Sequence, residues 1–511
     1  MDSVKNWMKH RSRISAGKTA VIDGETGEAW SYRQLWQRVE RLAGYLRNQG
    51  IAYGDRVALL SPNHICYLEL LFACGQLGAI FVPLNWRLAT NELNYILNDC
   101  KPSLLVVHPD SSHQAVIEAI QQGIAVFEIN GQEYSHVMSD EEVSYIDSST
   151  HHAAPLFQTN DPLAIIYTGG TTGRPKGVVL SHMSIFWNAT NTIISWNLSE
   201  DEITPTYLPM FHTGGLNALS IPVLMAGGTV VIARSFDAQS VIRLLNDQAC
   251  TIALMVPTMY HMLIQTKEFM ETSFPMMHTF LSGGAPCPHP IYEAFAAKGV
   301  AFKEGYGATE SGPNNFFIRP GDAVHKPGCV GKHMVLSQAK VVNVHGEELA
   351  VGEVGELLLA GSHLFERYWN EPAITAQAFD HGWFRTGDLA KKDADGDFYI
   401  VGRCKDMIIT GGENVYPVEV ETLIAGHSAV SSVAVVGLPH DKWGEIVAAA
   451  IVLHDGHLIT EDELRTYCAK SIGKYKIPKT IRFVSQLPLT DVGKLDKNKI
   501  IQQFLNTMDT W

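Results

Sequence analysis

Tyr167-Thr168-Gly169-Gly170-Thr171-Thr172-Gly173-Arg174-Pro175-Lys176-Gly177 gathers four glycines, three threonines and two cations into eleven residues. Glycine lets backbone N–H groups approach an anion closely, the threonine hydroxyls add donors, and Lys176 adds charge, so the run reads as a grip for phosphate. Pro162-Leu163-Ala164-Ile165-Ile166 precedes it and Val178-Val179-Leu180 follows it, which predicts a flexible loop between two buried strands. It is not a Walker A loop: no Gly-Lys-Ser/Thr ends it, and Pro175 opposes the helix that such a loop feeds. A plain glycine-threonine hairpin is the competing account.

Outward from this loop the chain alternates helix and strand. Ser31 and Gln34 predict a capping box, and Leu35, Val39, Leu42 and Leu46 then recur at helical spacing until Gly50. Arg56-Val57-Ala58-Leu59-Leu60 reads as a strand, Leu68 to Leu84 as a buried helix running into a strand, and Leu104 to Val107 as another strand. After the loop, strands are expected at Gly228–Ala233, Thr251–Val256, Thr279–Ser282 and Ala301–Glu304, and short alternating strands at 330–359. This rhythm implies an α/β protein: a large N-terminal domain of two doubly wound subdomains plus a small β-barrel subdomain over 1–402, then a small mobile α+β C-terminal domain over 403–511. The boundary is placed at the charged Arg403-Cys404-Lys405-Asp406.

The 511 residues are 46% hydrophobic and 18% charged, with a formal net charge of -14. This composition suits a compact protein of at least two domains and argues against nucleic acid as a partner. The eight cysteines show no paired or zinc-like spacing, so they read as buried free thiols of a reducing compartment, and with no leader-like start the expectation is cytoplasmic. No stretch reads as a transmembrane segment, and a homodimer is left open.

The loop resembles the signature of the adenylate-forming (AMP-binding) superfamily, Tyr-Thr-Ser-Gly-Thr-Thr-Gly-x-Pro-Lys-Gly, with Gly169 where the superfamily has serine. Glu304-Gly305-Tyr306-Gly307-Ala308-Thr309-Glu310 resembles its Tyr-Gly-x-Thr-Glu motif, and Thr386-Gly387-Asp388 its Thr-Gly-Asp motif. The matches run in order along nearly the whole chain. What they imply is activation of a carboxylic acid by ATP with Mg²⁺, as acyl-AMP, then capture by CoA. Thr168, Gly169, Gly170, Thr171, Thr172, Gly173 and Lys176 would hold phosphates, and Gly283, Gly284 and Ala285 would flank the base. Glu304, Gly305, Tyr306 and Gly307 would allow the nucleotide's close approach, with Tyr306 a flat face for the base. Thr309 would donate to the α-phosphate, Glu310 and Thr168 would ligate Mg²⁺, and Asp388 with Arg403 would hold the ribose.

The resemblance also makes Lys405 a hinge, Lys494 the catalytic lysine of the C-terminal domain, and Gly412 part of a loop lining the pantetheine channel. His212 would gate the carboxylate site, against the rival account of a core histidine, and Lys494 has its own rival, an exposed tail lysine. Gly214 and Gly215 suggest a roomy pocket floor suited to a chain, and Lys474, Lys476 and Lys479 offer charge to the CoA phosphates. Similarity to bacterial fatty-acyl-CoA synthetases points to a medium- or long-chain fatty acid, with an aryl or succinylbenzoate ligase, or a stand-alone enzyme loading a carrier protein, as the alternatives.

Overall fold

The computed structural model describes residues 2–111, 113–139, 158–169, 175–490 and 495–508. The helix Tyr32–Asn48 begins as expected: Ser31 Oγ accepts from Gln34 N–H and Gln34 Oε1 accepts from Ser31 N–H at 2.8 Å. Leu35, Val39, Leu42 and Leu46 are buried on its inner face, each contributing about 1.5–3 kcal/mol of transfer free energy. The oily stretch divides into the helix Cys66–Leu77 and the strand Ile80–Leu84, with Gly78 left-handed between them at φ 68°. Among the described residues no helix is long and apolar enough to cross a membrane.

Two α/β layers build the body. In the first, strands 56–60, 80–84, 104–107, 125–128 and 162–168 run parallel, and Lys176–Ser181 returns antiparallel beside Pro162–Thr168. The strands 56–60, 80–84 and 104–107 are buried on both faces, which is why they read as continuous apolar runs, whereas the edge strand 125–128 is largely exposed. In the second, Thr19–Asp23, Thr229–Ile232 and Ile203–Thr206 are parallel, and Ile252–Met255, Thr279–Ser282 and Phe302–Glu304 continue the layer, joined to it where Thr251 N–H donates to the Ile203 carbonyl at 2.9 Å.

The third sheet is larger than the 330–359 segment expected to form it. It is a seven-stranded antiparallel sheet that spans Phe316 to Arg403 and recruits the long strands Trp383–Lys392 and Phe398–Arg403. Glycine turns and alternation announce the first strands, whereas the later ones carry charge that masks their period.

Asp388 pairs with Arg403 at the last step of this sheet, a short 3-10 turn covers Cys404–Asp406, and Ile408 opens a separate sheet of five strands. In that sheet the strand Val430–His440 sends Val433 and Val435 to one face, against Val420, Ile424 and Leu464. Ala434, Val436 and Leu438 go to the other face, against Ile500 and Phe504. The period of two gives one sheet two small cores. All eight cysteines are free; six are buried, while Cys287 and Cys404 are half-exposed, a departure from the expectation that all are sequestered.

Candidate active site

The parallel strands of the second layer end together, with Met255, Ser282 and Glu304 in register, and ligands in such sheets sit beyond the carboxyl ends of strands. Gly305 N–H donates to the Ser282 carbonyl at 2.8 Å, fastening the Glu304-to-Glu310 segment to the Ser282-Gly283-Gly284-Ala285 turn. Tyr306 then reaches across to the antiparallel sheet, where its hydroxyl donates to Asp388 Oδ2 at 2.5 Å. Arg403 Nε lies 3.2 Å from Asp388 Oδ1 because the ladder sets the two residues opposite one another. The Thr386-Gly387-Asp388 turn is itself held: Thr386 Oγ1 donates to the Leu357 carbonyl at 2.7 Å and accepts from Asp388 N–H at 3.0 Å. Burial, then the adjacent Asp388 charge, holds the Tyr306 phenol protonated, so it remains a donor.

Glu304 is brought to this place but faces another way. Its carboxylate accepts from the Tyr292 hydroxyl at 2.5 Å and from Cys287 N–H at 3.2 Å, and burial pushes its pKa up to about 7 against those hydrogen bonds. It therefore anchors the 283–287 loop. Gly284 is left-handed at φ 84°. Gly307 owes its identity to a backbone crossing: a Cβ there would stand 2.2 Å from the Pro313 carbonyl group. This corrects the assignment of that glycine to nucleotide approach.

At the other end, Thr168 and Lys176 are the last described pair of the ladder that carries the loop. Gly169 has nothing within 4 Å of a Cβ position; Gly170, Thr171, Thr172 and Gly173 lie outside the described residues. Thr309 is buried, and Glu310 accepts a hydrogen bond from the Tyr368 hydroxyl at 2.9 Å. Burial raises the Glu310 pKa. A carboxylate whose charge is opposed by its surroundings and which faces the Lys176 side of the site fits a hard cation, which would restore that charge. Tyr368 joins the two motifs: its ring lies 5.6 Å from Lys176 Nζ, and Phe365 N–H donates to the Glu310 carbonyl at 2.8 Å. Sequence reading missed Tyr368; the aromatic run Arg367-Tyr368-Trp369-Asn370 is the signal it left.

His212 heads the short helix Thr213–Asn217 with its ring 4.6 Å from that of Phe211. The roomy floor inferred from Gly215 is corrected: a Cβ there would meet the Pro209 carbonyl oxygen at 2.3 Å, so this glycine permits backbone contact, not substrate volume.

Lys405 is exposed in the 3-10 turn between the two sheets. Gly411 and Gly412, at φ 60° and 86°, form the turn of the hairpin 408–415; Gly412 has open space around it, while a Cβ on Gly411 would stand 2.9 Å from Trp443. Of the cations proposed for CoA, Lys476 is spent on Glu419 at 2.6 Å, Lys479 Nζ lies 4.3 Å from the Trp443 ring centroid, and Lys474 is exposed. Lys494 lies outside the described residues.

Residues 8–369 match the family described as AMP-binding enzyme, and residues 419–494 match its C-terminal domain. The chain is 37% identical to the feruloyl-CoA synthase of an Amycolatopsis species, across 98% of each protein. It is 36% identical to the long-chain-fatty-acid–CoA ligase FadD13 of Mycobacterium tuberculosis, across 98% of this chain and 99% of that one. The crystal structure of ATP-bound MatB from Rhodopseudomonas palustris superimposes with a TM-score of 0.89 at 32% identity, covering 98% of this chain and 99% of that one.

The chain belongs to the AMP-binding enzyme family and is an AMP-forming acyl-CoA synthetase.

Proposed function

We propose that this member of the AMP-binding enzyme family joins a medium- or long-chain fatty acid to CoA in two half-reactions at one site. The observation that carries the reading is the clamp of Tyr306, Asp388 and Arg403 at the ends of two sheets, an arrangement suited to hold a ribose diol. In the first half-reaction the Asp388 carboxylate accepts the ribose hydroxyls while the 283–285 turn flanks the base. Lys176 and Thr309 meet the phosphates. The acid's carboxylate attacks the α-phosphorus in line, the bond to the β-phosphate oxygen breaks, and pyrophosphate leaves. Mg²⁺, held by Glu310 and Thr168, would supply charge neutralisation for the two anions brought together there. Lys494, from the 403–511 lid, would stabilise the charge on the transferring phosphoryl group.

In the second half-reaction the lid turns about Lys405 and presents the Gly412 hairpin. The CoA sulfur attacks the acyl carbonyl, the mixed anhydride opens, and AMP carries away the electron pair. The free thiols of the described fold agree with a reducing, cytoplasmic setting.

The fatty-acid assignment draws support from the 36% identity to the fatty-acid ligase. A second reading, an aryl acid, is favoured by the 37% identity to the feruloyl-CoA synthase and by a polar patch. Asn188 and Asn217, buried on the helices His182–Trp196 and Thr213–Asn217, each carry a side-chain oxygen that has no donor among the described residues. Acid-dependent exchange of labelled pyrophosphate into ATP tests the function, with octanoate and palmitate set against cinnamate and its ring-hydroxylated analogues. Preference for the aromatic set would overturn the aliphatic assignment, and no exchange with any acid would overturn the reaction. Lys494→Ala is expected to abolish exchange while thioester formation from supplied acyl-AMP persists.

A further inference from the structure

Asp99 stands in the last turn of the helix Thr90–Cys100, where a carboxylate opposes the helix dipole. Local structure gives it no reason to be there; its long-range partners do. Its Oδ2 accepts the Tyr167 hydroxyl at 2.6 Å, and its Oδ1 accepts from Asn370 Nδ2 at 3.1 Å. Its main-chain carbonyl accepts from Trp369 Nε1 at 3.3 Å and from Asn370 Nδ2 at 3.2 Å. Tyr167 is the residue before Thr168 and pairs with Gly177, so it sits on the ladder that carries the phosphate loop. Trp369 closes the opposite side: its N–H donates to the Gly177 carbonyl at 2.7 Å, and its Cβ lies 3.1 Å from where a Gly177 Cβ would stand. The next residue back, Tyr368, holds Glu310. One carboxylate thus grips the strand entering the loop and the segment that packs on the strand leaving it. Burial raises the Tyr167 phenol far above its ordinary range, so it donates at every working pH.

We infer that Asp99 is a positioning residue for the phosphate site: through Tyr167, Trp369 and Asn370 it fixes Thr168 and Lys176 at the paired strand ends, and through Tyr368 the orientation of Glu310, so that Thr168 and Lys176 are held in place for the β- and γ-phosphates. The inference rests on the ATP-site reading above. It concerns the part of the nucleotide that AMP lacks, because the Asp99 network reaches Thr168, Lys176 and Glu310 through the strand pair and Tyr368, whereas the ribose reading is built on Tyr306, Asp388 and Arg403.

The test is calorimetric binding of ATP and of AMP to the full chain, for wild type, Asp99→Ala, Asp99→Asn and Tyr167→Phe. Asp99→Ala is expected to weaken ATP about tenfold and leave AMP unchanged, since two hydrogen bonds to a charged group that hold the strand ends are lost. Asp99→Asn, which keeps one acceptor, should recover part of the loss, and Tyr167→Phe combined with Asp99→Ala should add little to Asp99→Ala alone. ATP and AMP weakened alike, ATP affinity unchanged, or fully additive losses would each overturn the inference. If Asp99→Ala does not fold, the ATP-to-AMP ratio in Asp99→Asn and Tyr167→Phe decides. Acid-dependent pyrophosphate exchange by the wild type is read separately, so failure of the proposed function is distinguishable from failure of this positioning role.

Discussion

The ribose clamp and the 408–415 hairpin are built on opposite principles. The clamp takes Tyr306 from one segment and Asp388 and Arg403 from two paired strands, and fixes them through the buried Asp388 carboxylate, which accepts from the Tyr306 hydroxyl and pairs with the exposed Arg403 guanidinium. The hairpin carries an exposed tip, Gly411-Gly412-Glu413, and is shaped by backbone: two left-handed glycines, Gly411 N–H donating to the Trp443 carbonyl at 2.8 Å, and Ile409 N–H donating to Glu445 at 2.7 Å. A site that must hold a polar ligand through chemistry invests in side-chain charge. The hairpin proposed to meet the thiol arm of CoA relies instead on the absence of side chains at its tip.

The comparison breaks most sharply at Asp388. Asp388→Asn removes the acceptor charge for the ribose and leaves Arg403 unpaired, so kcat/KM for ATP in pyrophosphate exchange should fall about 100-fold, two charged hydrogen bonds at about 1.5 kcal/mol each. AMP affinity should fall with it; retention of AMP binding would show that the clamp does not hold the ribose. Gly411→Ala tests the other principle. A methyl at φ 60°, close to Trp443, costs about 1–2 kcal/mol of strain, so thioester formation from supplied acyl-AMP should fall about tenfold while pyrophosphate exchange is retained. Equal loss in both half-reactions would assign the hairpin a purely structural role.

The smallest effect is expected on the far face of the strand Phe302–Glu304. Lys303 is 3% exposed, its ammonium 4.2 Å from the Trp196 ring centroid and 4.5 Å from that of Phe317, and burial pushes its pKa down to about 7. The unfolded chain binds this proton more tightly, so the charge penalty on folding is full below about pH 7 and relaxes as pH rises toward the ordinary lysine range. Lys303→Met should leave kinetics unchanged, stabilise the protein by about 1–2 kcal/mol at pH 7 once the lost cation–π contact is counted, and flatten the rise of stability with alkaline pH. Denaturant unfolding at pH 7 and pH 9 reads both; a less stable variant would show that the aromatic cage outweighs the desolvation of the charge.

What was legible from residues alone was local. The capping box at Ser31 and Gln34, the helix-then-strand order, the strands at 229–232, 252–255, 279–282 and 302–304, and the small unit from Ile408 onward follow from periodicity and turn chemistry within a few residues. The run between Thr168 and Lys176 and the Tyr-Gly-x-Thr-Glu run stood out because the residue types proposed for phosphate chemistry stand side by side in the sequence. The glycines misled where their reason was remote. Gly215 is set by the Pro209 carbonyl and Gly307 by Pro313, and neither neighbour is marked in the pattern around the glycine. Tyr368 and Asp99 were invisible because their partners lie 58 and 68 residues away.

The sequence by itself determined the order of elements, the two kinds of layer and which residues were candidates for phosphate and ribose, since these depend on local propensity, period and residue chemistry. Only the tertiary structure decided which groups meet. Asp388 faces Arg403 through ladder register, Glu304 turns to Tyr292 and Cys287, and Asp99 ties both stems of the phosphate loop. Such contacts are fixed when sheets and helices bury their apolar faces against one another. That packing sets distances between residues far apart in the chain, which no local pattern encodes.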